Sequence, residues 1–126
     1  MRKREEIRIT IVIPTYNRNN DLERCLDSIL INTTSAWVAI ILTPELNHEI
    51  EAISSKYPCR LVCDESRVKG YRKKSLWAII NYGIYLAETE YVVWLNDDCL
   101  VVPGWDIVAL KYIKNDIGLV VLRASG

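Results

Sequence analysis

The chain contains no phenylalanine, one histidine and no apolar run long enough to cross a bilayer. A transmembrane helix needs roughly 18 or more consecutive apolar residues, and the charged start up to Arg8 lacks the pattern of a secretory signal peptide. We therefore expect no membrane span, and a cytoplasmic location by default. The single histidine, His48, lies in a polar segment and is expected at the surface.

An excess of charge of either sign is also missing, because sixteen Lys and Arg residues balance sixteen Asp and Glu residues. Nucleic-acid-binding proteins are normally clearly basic, so nucleic acid is not an expected partner. The four cysteines show no Cys-x-x-Cys spacing, which disfavours a structural zinc site. At 126 residues, half of them apolar, the chain has the length and composition of one domain with a buried core.

Glycine is scarce, with five residues and none in the polar loop at 15–20. This loop follows a β-branched run at 7–14, which predicts a central strand. It precedes a helix predicted over 21–31, with Asn20 or Asp21 as its cap. Dehydrogenases and nucleotidyltransferases carry glycine-rich loops at this place, so both classes are disfavoured.

The remaining apolar segments alternate between strands and helices. Further strands are predicted over 37–42, 59–63, 91–95 and 119–122, and helices over 45–56, 74–88 and 106–114. This alternation predicts an α/β fold with a mostly parallel sheet and helices on both faces. The strand at 91–95 has no polar residue to expose, so we expect it near the centre of the sheet.

The helix predicted over 74–88 contains Gly83, which costs roughly 1 kcal/mol relative to alanine in a helix interior. A glycine kept at that cost suggests close approach by a neighbouring strand or a ligand. Four apolar residues of the two long helices are expected in the core. They are Leu26, Ile29, Ile80 and Ile84.

The strand at 91–95 ends abruptly at Asn96, Asp97 and Asp98. Open α/β sheets bind ligands at the carboxyl ends of their strands. Adjacent carboxylates that both stay ionised usually need a cation, and oxygen ligands favour Mg²⁺ or Mn²⁺. The alternative is a solvated turn before Pro103 and Gly104.

A basic loop over 64–74 follows the strand at 59–63 and contains Arg67, Lys69 and Gly70. In a parallel sheet this loop reaches the same edge as the acidic pair. Cations and carboxylates would then flank one diphosphate. The alternative is an ordinary solvated basic surface.

The order of these elements resembles the family 2 glycosyltransferases of the GT-A fold, over nearly the whole chain. The residues that carry the resemblance are Val-Ile-Pro-Thr-Tyr-Asn-Arg at 12–18, Asn-Tyr-Gly at 81–83, Leu-Asn-Asp-Asp at 95–98 and Pro-Gly-Trp at 103–105. The resemblance implies a Rossmann-like fold that binds nucleotide-diphospho-sugars. It makes residues 1–126 a single nucleotide-sugar-binding domain.

By position, the resemblance implies that Asp98 is a ligand of Mn²⁺ or Mg²⁺, with Asp97 beside it toward the ribose or the metal. The ion would act as a Lewis acid on the leaving diphosphate. The implied donor is a UDP- or GDP-linked sugar, with an unknown acceptor. The residues expected to bind this substrate are Pro14, Thr15, Tyr16, Arg18, Glu45, Arg67, Lys69, Gly70, Asn81, Asn96 and Asp97.

The chain departs from the family pattern at three places. Asn96 occupies the first acidic position of the Asp-x-Asp motif, and Glu45 stands near the place where the family commonly has an aspartate that reads the base. The family's acceptor half, with its catalytic base, follows the point where this chain stops at Gly126, so no base is assigned and the fold is expected to be truncated there. The alternative function is a non-catalytic homologue that binds a nucleotide-sugar or a partner protein.

Overall fold

The computed structural model describes residues 7–63 and 76–112, which form a parallel sheet with helices packed on it. In chain order the elements are β1 (Ile9–Pro14), α1 (Asn19–Asn32), β2 (Trp37–Thr43), α2 (His48–Ser54), β3 (Cys59–Cys63), α3 (Leu76–Leu86), β4 (Tyr91–Trp94) and α4 (Trp105–Tyr112). The order of the described strands is β3-β2-β1-β4, and all three pairings are parallel. The predicted α/β fold is confirmed.

Helices cover both faces of this sheet. On one face, Ile11 and Ile13 of β1 join a core that includes Leu26 and Ile29 of α1. On the other face, Val12 packs in a second cluster with residues of β2 and α3. Successive strand residues point to opposite faces, and both faces of β1 are covered. Every residue of β1 is therefore buried. This burial explains why the sequence of β1 is apolar without alternation.

The predicted central position of the strand at 91–95 is wrong for the described part of the sheet. There, β4 pairs with β1 and lies at the edge, while β1 and β2 have neighbours on both sides. Val92 and Trp94 are 37% and 38% exposed. Both lie in register with residues of β1 that point to the α3 face. The helix α3 packs over β1 and β2, which leaves this side of β4 partly open.

The glycine in α3 marks the closest approach of that helix to the sheet. A Cβ atom on Gly83 would lie 2.4 Å from Val12 Cγ1 and 3.1 Å from Leu42 Cδ1. The predicted close approach is therefore made by two strands. Ile80 is buried as predicted, but Ile84 is 46% exposed, so its assignment to the core is wrong. The buried stripe of α3 runs through Gly83 instead of Ile84, because the helix meets the sheet at the glycine.

Helix ends differ from the sequence prediction by a few residues. The helix α2 begins at His48, later than expected, because the Asn47 side chain caps it by accepting a hydrogen bond from Ile50 N at 2.9 Å. The helix α1 begins earlier, with Arg18 at the N-cap position. The predicted basic loop at 64–74, the predicted strand at 119–122 and the last two residues of the helix predicted over 106–114 lie outside the described residues. None of the described helices has the length and apolarity required to cross a bilayer.

Candidate functional site

The loops after β1 and β4 begin side by side at the carboxyl edge of the sheet. Both strands continue their ladders by one hydrogen bond: Thr15 N donates to Leu42 O at 2.9 Å, and Leu95 N donates to Val12 O at 3.0 Å. This edge is where open α/β sheets bind ligands. The polar residues predicted from the two loops therefore meet at one place.

Asp97 is the buried member of the acidic pair, with a side chain that is 6% exposed. Thr15 Oγ1 donates a hydrogen bond to Asp97 Oδ2 at 2.8 Å, and Arg18 Nη1 donates to Asp97 Oδ1 at 3.3 Å. Each carboxylate oxygen thus has its own donor, as a buried charge requires. Three of the predicted site residues come together in this contact.

The position of Arg18 is set by the turn that joins β1 to α1. Asn17 adopts a φ of 55°, in the left-handed region that asparagine tolerates better than most residues. Arg18 follows as the N-cap residue of α1, and its carbonyl accepts a hydrogen bond from Leu22 N at 2.9 Å. The backbone of Arg18 is therefore held by the helix while its guanidinium reaches the acidic pair.

Asp98 is the accessible member of the pair, with a side chain that is 53% exposed. Arg18 Nη1 lies 3.9 Å from Asp98 Oδ2 as well as 3.3 Å from Asp97 Oδ1, so one cation offsets the repulsion between the two carboxylates. The backbone turns here, since Cys99 N donates to Asn96 O at 3.1 Å. The expected solvated turn is thus half correct: a turn exists, but one of its two carboxylates is buried.

The two carboxylates fit a hard divalent cation whose remaining ligands come from water and from substrate phosphates. Within residues 7–63 and 76–112, no group of three or more His, Cys, Asp or Glu side chains is arranged to hold a metal. Mg²⁺ commonly uses one or two carboxylates together with water and substrate phosphates, and Mn²⁺ accepts the same oxygen ligands. The accessible Asp98 and its neighbour Asp97 match that incomplete set.

Three further predicted residues flank the network in sequence. Pro14 is buried at the end of β1, and Tyr16 is half-buried in the following loop. Asn96 is exposed, and its carbonyl oxygen lies 3.8 Å from Cys25 Sγ. Pro14 and Asn96 thus lie close to the points at which β1 and β4 end.

The other predicted residues are more distant in the chain. Glu45 is exposed in the loop after β2, at the same edge of the sheet, and its carbonyl accepts a hydrogen bond from Thr43 Oγ1 at 2.9 Å. Asn81 is exposed on α3. Three predicted residues lie outside the described part of the chain: Arg67, Lys69 and Gly70.

Sequence reasoning missed the contacts that α1 makes with the loop after the acidic pair. Ser28 Oγ accepts a hydrogen bond from Val101 N at 3.1 Å, and Asn32 Nδ2 donates one to Val101 O at 2.9 Å. The available signal was weak: two polar residues four positions apart, next to the apolar stripe of the helix. Such spacing is also found on ordinary solvated helix faces.

Asp106, at the start of α4, was assigned no role from the sequence. Its carboxylate is fully buried and accepts hydrogen bonds from Thr34 N at 3.1 Å and Ser35 N at 2.7 Å. Burial by itself would raise the pKa of Asp106, but the hydrogen bonds from Ser35 and Thr34 favour the charged form, and the pKa lies below its ordinary value. This carboxylate fixes the turn between α1 and β2 to the segment that follows the acidic pair.

Cys25, whose sulfur lies 3.8 Å from Asn96 O, is not a nucleophile. Burial raises the pKa of the Cys25 thiol to about 12, and the nearby Cys99 and the two aspartates add to the shift. The thiolate is the reactive form of cysteine, so a thiol with this pKa is inert near neutral pH. Cys25 is a small buried residue of α1, as its position in the apolar stripe predicts.

A cleft of about 670 Å³ lies at the opposite edge of the sheet, where the strands begin. Arg8, Arg60, Glu88 and Glu90 are among its lining residues, so charges of both signs face it. A diphosphate is attracted to concentrated positive charge. The balanced charges of this cleft give it no concentrated positive charge for such a ligand.

Comparison with known proteins identifies a matching family model and several curated relatives. The family model described as glycosyl transferase family 2 matches residues 10–124. An uncharacterized glycosyltransferase of Rickettsia typhi is 28% identical over 96 residues, which cover 76% of this chain and 29% of that protein. Protein CgeD of Bacillus subtilis is 25% identical over 104 residues, covering 76% of this chain and 24% of CgeD. The chain thus spans about a quarter of the length of these curated relatives.

Solved structures share the fold at lower sequence identity. The mannosyltransferase PcManGT from Pyrobaculum calidifontis, in complex with GDP-Man and Mn²⁺, aligns with a TM-score of 0.71 and 19% identity, over 90% of this chain and 34% of that one. TarS from S. aureus aligns with a TM-score of 0.65 and 16% identity, over 83% of this chain and 32% of the TarS fragment. At such identities the likeness concerns the fold.

Proposed function

Because the chain belongs to glycosyl transferase family 2, whose model matches residues 10–124, we propose that it binds a nucleotide-diphosphate sugar at the carboxyl edge of its sheet. One observation carries this proposal: Thr15 and Arg18 hold Asp97 and leave the carboxylate of Asp98 accessible. The fold shared with a mannosyltransferase in complex with GDP-Man and Mn²⁺ supports it. We propose a UDP- or GDP-linked sugar as donor, for transfer to an acceptor of unidentified class.

We assign the site of a Mn²⁺ or Mg²⁺ ion to Asp98, with Asp97 beside it. When bound, such an ion supplies Lewis-acid stabilisation of the charge on the diphosphate leaving group. Asp98 offers its exposed carboxylate, while the buried Asp97 fixes the turn that presents it. The guanidinium of Arg18, half exposed beside both carboxylates, is placed to donate hydrogen bonds to a phosphate oxygen.

The remaining residues of the proposed substrate site come from several segments of the chain. Thr15 acts on the nucleotide through Asp97, since its hydroxyl proton is donated there. The other proposed contacts are Pro14, Tyr16, Glu45, Arg67, Lys69, Gly70, Asn81 and Asn96. Glu45 is the proposed reader of the base, because it follows β2 at the same edge of the sheet.

For this chain by itself we propose donor binding without efficient transfer. General-base catalysis contributes about 10²- to 10⁴-fold in rate, and none of the described residues is assigned as the base that would activate an acceptor. A non-catalytic nucleotide-sugar-binding homologue is the second candidate. It is favoured by Asn96, which stands where the family's motif has its first acid.

Calorimetric titration of UDP and GDP tests the proposal, on wild type and Asp98→Asn, with Mn²⁺ and with EDTA. We expect binding of one nucleotide that strengthens with Mn²⁺, and loss of this dependence in Asp98→Asn. Asp27→Asn is the matched control, because Asp27 is an exposed carboxylate of α1 that is hydrogen-bonded to the Tyr57 hydroxyl. Nucleotide binding that ignores both Mn²⁺ and the Asp98 substitution would refute the metal assignment.

An assay of transfer to an acceptor tests the proposed lack of efficient catalysis. Incubation of the 126-residue chain with UDP- and GDP-linked sugars and simple sugar acceptors is expected to give slow donor hydrolysis at most. Efficient glycoside formation would overturn the proposal that this chain binds the donor without efficient transfer. No nucleotide binding under any condition would remove both candidates.

A further inference from the structure

Two side chains of α1 hold the backbone of one residue in the loop that follows the acidic pair. Ser28 Oγ accepts a hydrogen bond from Val101 N at 3.1 Å, and Asn32 Nδ2 donates one to Val101 O at 2.9 Å. The Ser28 hydroxyl proton is donated to Cys25 O at 2.7 Å, so the oxygen presents a lone pair to Val101. The helix thus satisfies both backbone groups of Val101, as a neighbouring strand would.

The loop needs such partners because residues 95–104 form neither helix nor strand. Two more contacts from the same side of α1 follow its course. Cys25 Sγ lies 3.8 Å from Asn96 O, and Asn32 O accepts a hydrogen bond from Gly104 N at 3.3 Å. Positions 25, 28 and 32 are spaced by three and four residues and therefore lie on one side of the helix. That side of α1 accompanies the loop along its whole length.

Asp98 lies between Asp97 and Val101, and both of these residues are held by side chains from residues 15–32. On one side, Thr15 and Arg18 bind the side chain of Asp97. On the other side, Ser28 and Asn32 bind the backbone of Val101. The exposed carboxylate of Asp98 is therefore carried on a short segment with both ends fixed.

We propose that Ser28 and Asn32 are positioning residues that fix the carboxylate of Asp98 for metal-dependent binding of a nucleoside diphosphate, an inference that rests on the function proposed above. A ligand carboxylate on a mobile loop must be ordered when the metal binds, and that ordering reduces affinity. A carboxylate that is already held avoids this loss. In this role Ser28 and Asn32 contact neither substrate nor metal, and they act through the backbone of Val101.

The test compares Ser28→Ala with Ser55→Ala. Both hydroxyls donate to the carbonyl three residues earlier, at 2.7 Å for Ser28 and 2.8 Å for Ser55, but Ser55 is exposed at the end of α2. The measured quantity is the ratio of GDP or UDP affinity with Mn²⁺ to that with EDTA. We expect this ratio to fall about five-fold in Ser28→Ala, the effect of one net hydrogen bond. It should stay unchanged in Ser55→Ala and in the conservative Ser28→Thr.

A structural role alone predicts a different pattern. Ser28→Ala would then lower the midpoint of thermal unfolding while the affinity ratio stayed at the wild-type value, and that result would overturn the proposal. Asn32→Asp replaces the donor to Val101 O with a carboxylate oxygen and is expected to reduce the ratio at least as much as Ser28→Ala. An unchanged ratio in both variants would also overturn it.

A separate measurement distinguishes failure of this inference from failure of the proposed function. If wild type shows no Mn²⁺-dependent nucleotide binding, the proposed function fails, and amide hydrogen exchange of the metal-free chain decides the positioning role. Exchange about five-fold faster in Ser28→Ala, confined to residues 99–104 and absent from Ser55→Ala, supports the fixing of this loop by α1. Unchanged exchange, or an increase spread over the whole chain, overturns it.

Discussion

Thr15 Oγ1 and Asp97 Oδ2 lie 2.8 Å apart and form a buried hydrogen bond between residues that are 82 positions apart in the chain. Thr15 opens the loop after β1, and Asp97 lies in the turn after β4. This contact joins the two loops that the family resemblance assigns to the nucleotide and to the metal. The hydroxyl is the donor, since an ionised carboxylate only accepts.

Replacement of Thr15 by valine is expected to destabilise the fold. Valine keeps the β-branched shape but removes the donor, so Asp97 Oδ2 stays buried without this partner. Leaving a buried acceptor unsatisfied costs about 1 to 3 kcal/mol. Urea unfolding of wild type, Thr15→Val and Thr15→Ser measures the difference in the free energy of unfolding. The serine variant should retain most of the stability, and equal stability of all three proteins would contradict the assigned role of the hydroxyl.

Gly83→Ala is expected to lower stability although alanine is the better helix former. The added Cβ would lie 2.4 Å from Val12 Cγ1, and the branched side chain of valine has little freedom to move aside. Overpacking of this kind costs about 1 to 3 kcal/mol, against a gain of about 1 kcal/mol in helix propensity. Thermal unfolding should show a net loss that Val12→Ala partly relieves in the double variant. An increase in stability would show that α3 can move away from β1.

The elements that are locally encoded were predicted well from the sequence. The β-branched run of β1 is buried on both sides, and the apolar stripe of α1 places Leu26 and Ile29 in the core. The family resemblance implies that Arg18 and the acidic pair serve one substrate, but the ion pair between Arg18 and Asp97 was not predicted. Periodicity indicated where each loop begins, and the parallel order of the strands brought the loops to one edge.

Contacts between distant residues were not predictable in the same way. Ile84 continues the helical repeat of Ile80, yet it is exposed because the axis of α3 meets the sheet at Gly83. Asp106 resembles an ordinary acidic residue in the first turn of a helix, but Thr34 and Ser35 bind its carboxylate. Such hydrogen bonds depend on how two elements pack, which no local pattern reports.

The buried carboxylate of Asp106 is expected to make stability depend on pH in the acid range. Hydrogen bonds from Ser35 and Thr34 outweigh the effect of burial and lower the pKa of Asp106 from 3.8. A group with a lowered pKa in the folded state stabilises the protein above its unfolded pKa, and this stabilisation is lost as the pH falls through the folded value. The difference in unfolding free energy between wild type and Asp106→Asn should therefore be largest near neutral pH and shrink below about pH 4.

Asp21→Asn is the control for this pH dependence, because it removes a partly exposed carboxylate at the surface that is paired with Arg24. Surface pairs of this kind contribute about 0.5 kcal/mol or less. Urea unfolding at several pH values between neutral and strongly acidic supplies the measurement. A constant difference between wild type and Asp106→Asn across that range would show that the charge of Asp106 is not what fixes the turn.

Loss of charge is expected to lower the stability of the fold at Asp97 and to leave it nearly unchanged at Asp98. Asp97 is 6% exposed and bound by Thr15 and Arg18, whereas Asp98 is 53% exposed. Asp97→Asn leaves an amide nitrogen against a donor inside the protein, at a cost of about 1 to 3 kcal/mol. Asp98→Asn relieves repulsion between adjacent carboxylates and should change stability by no more than about 0.5 kcal/mol.

The metal dependence of nucleotide affinity should be more sensitive to the substitution of Asp98 than to that of Asp97. Asp98→Asn is expected to fold normally and to lose the Mn²⁺ dependence of UDP or GDP affinity, because its carboxylate is the accessible one of the pair and the proposed metal ligand. Calorimetry and urea unfolding on the same two variants give both quantities. If Asp98→Asn instead lost about 1 kcal/mol of stability, as a residue that caps a turn would, and bound nucleotide like wild type, Asp98 would be a structural turn residue. The metal would then have to be assigned elsewhere.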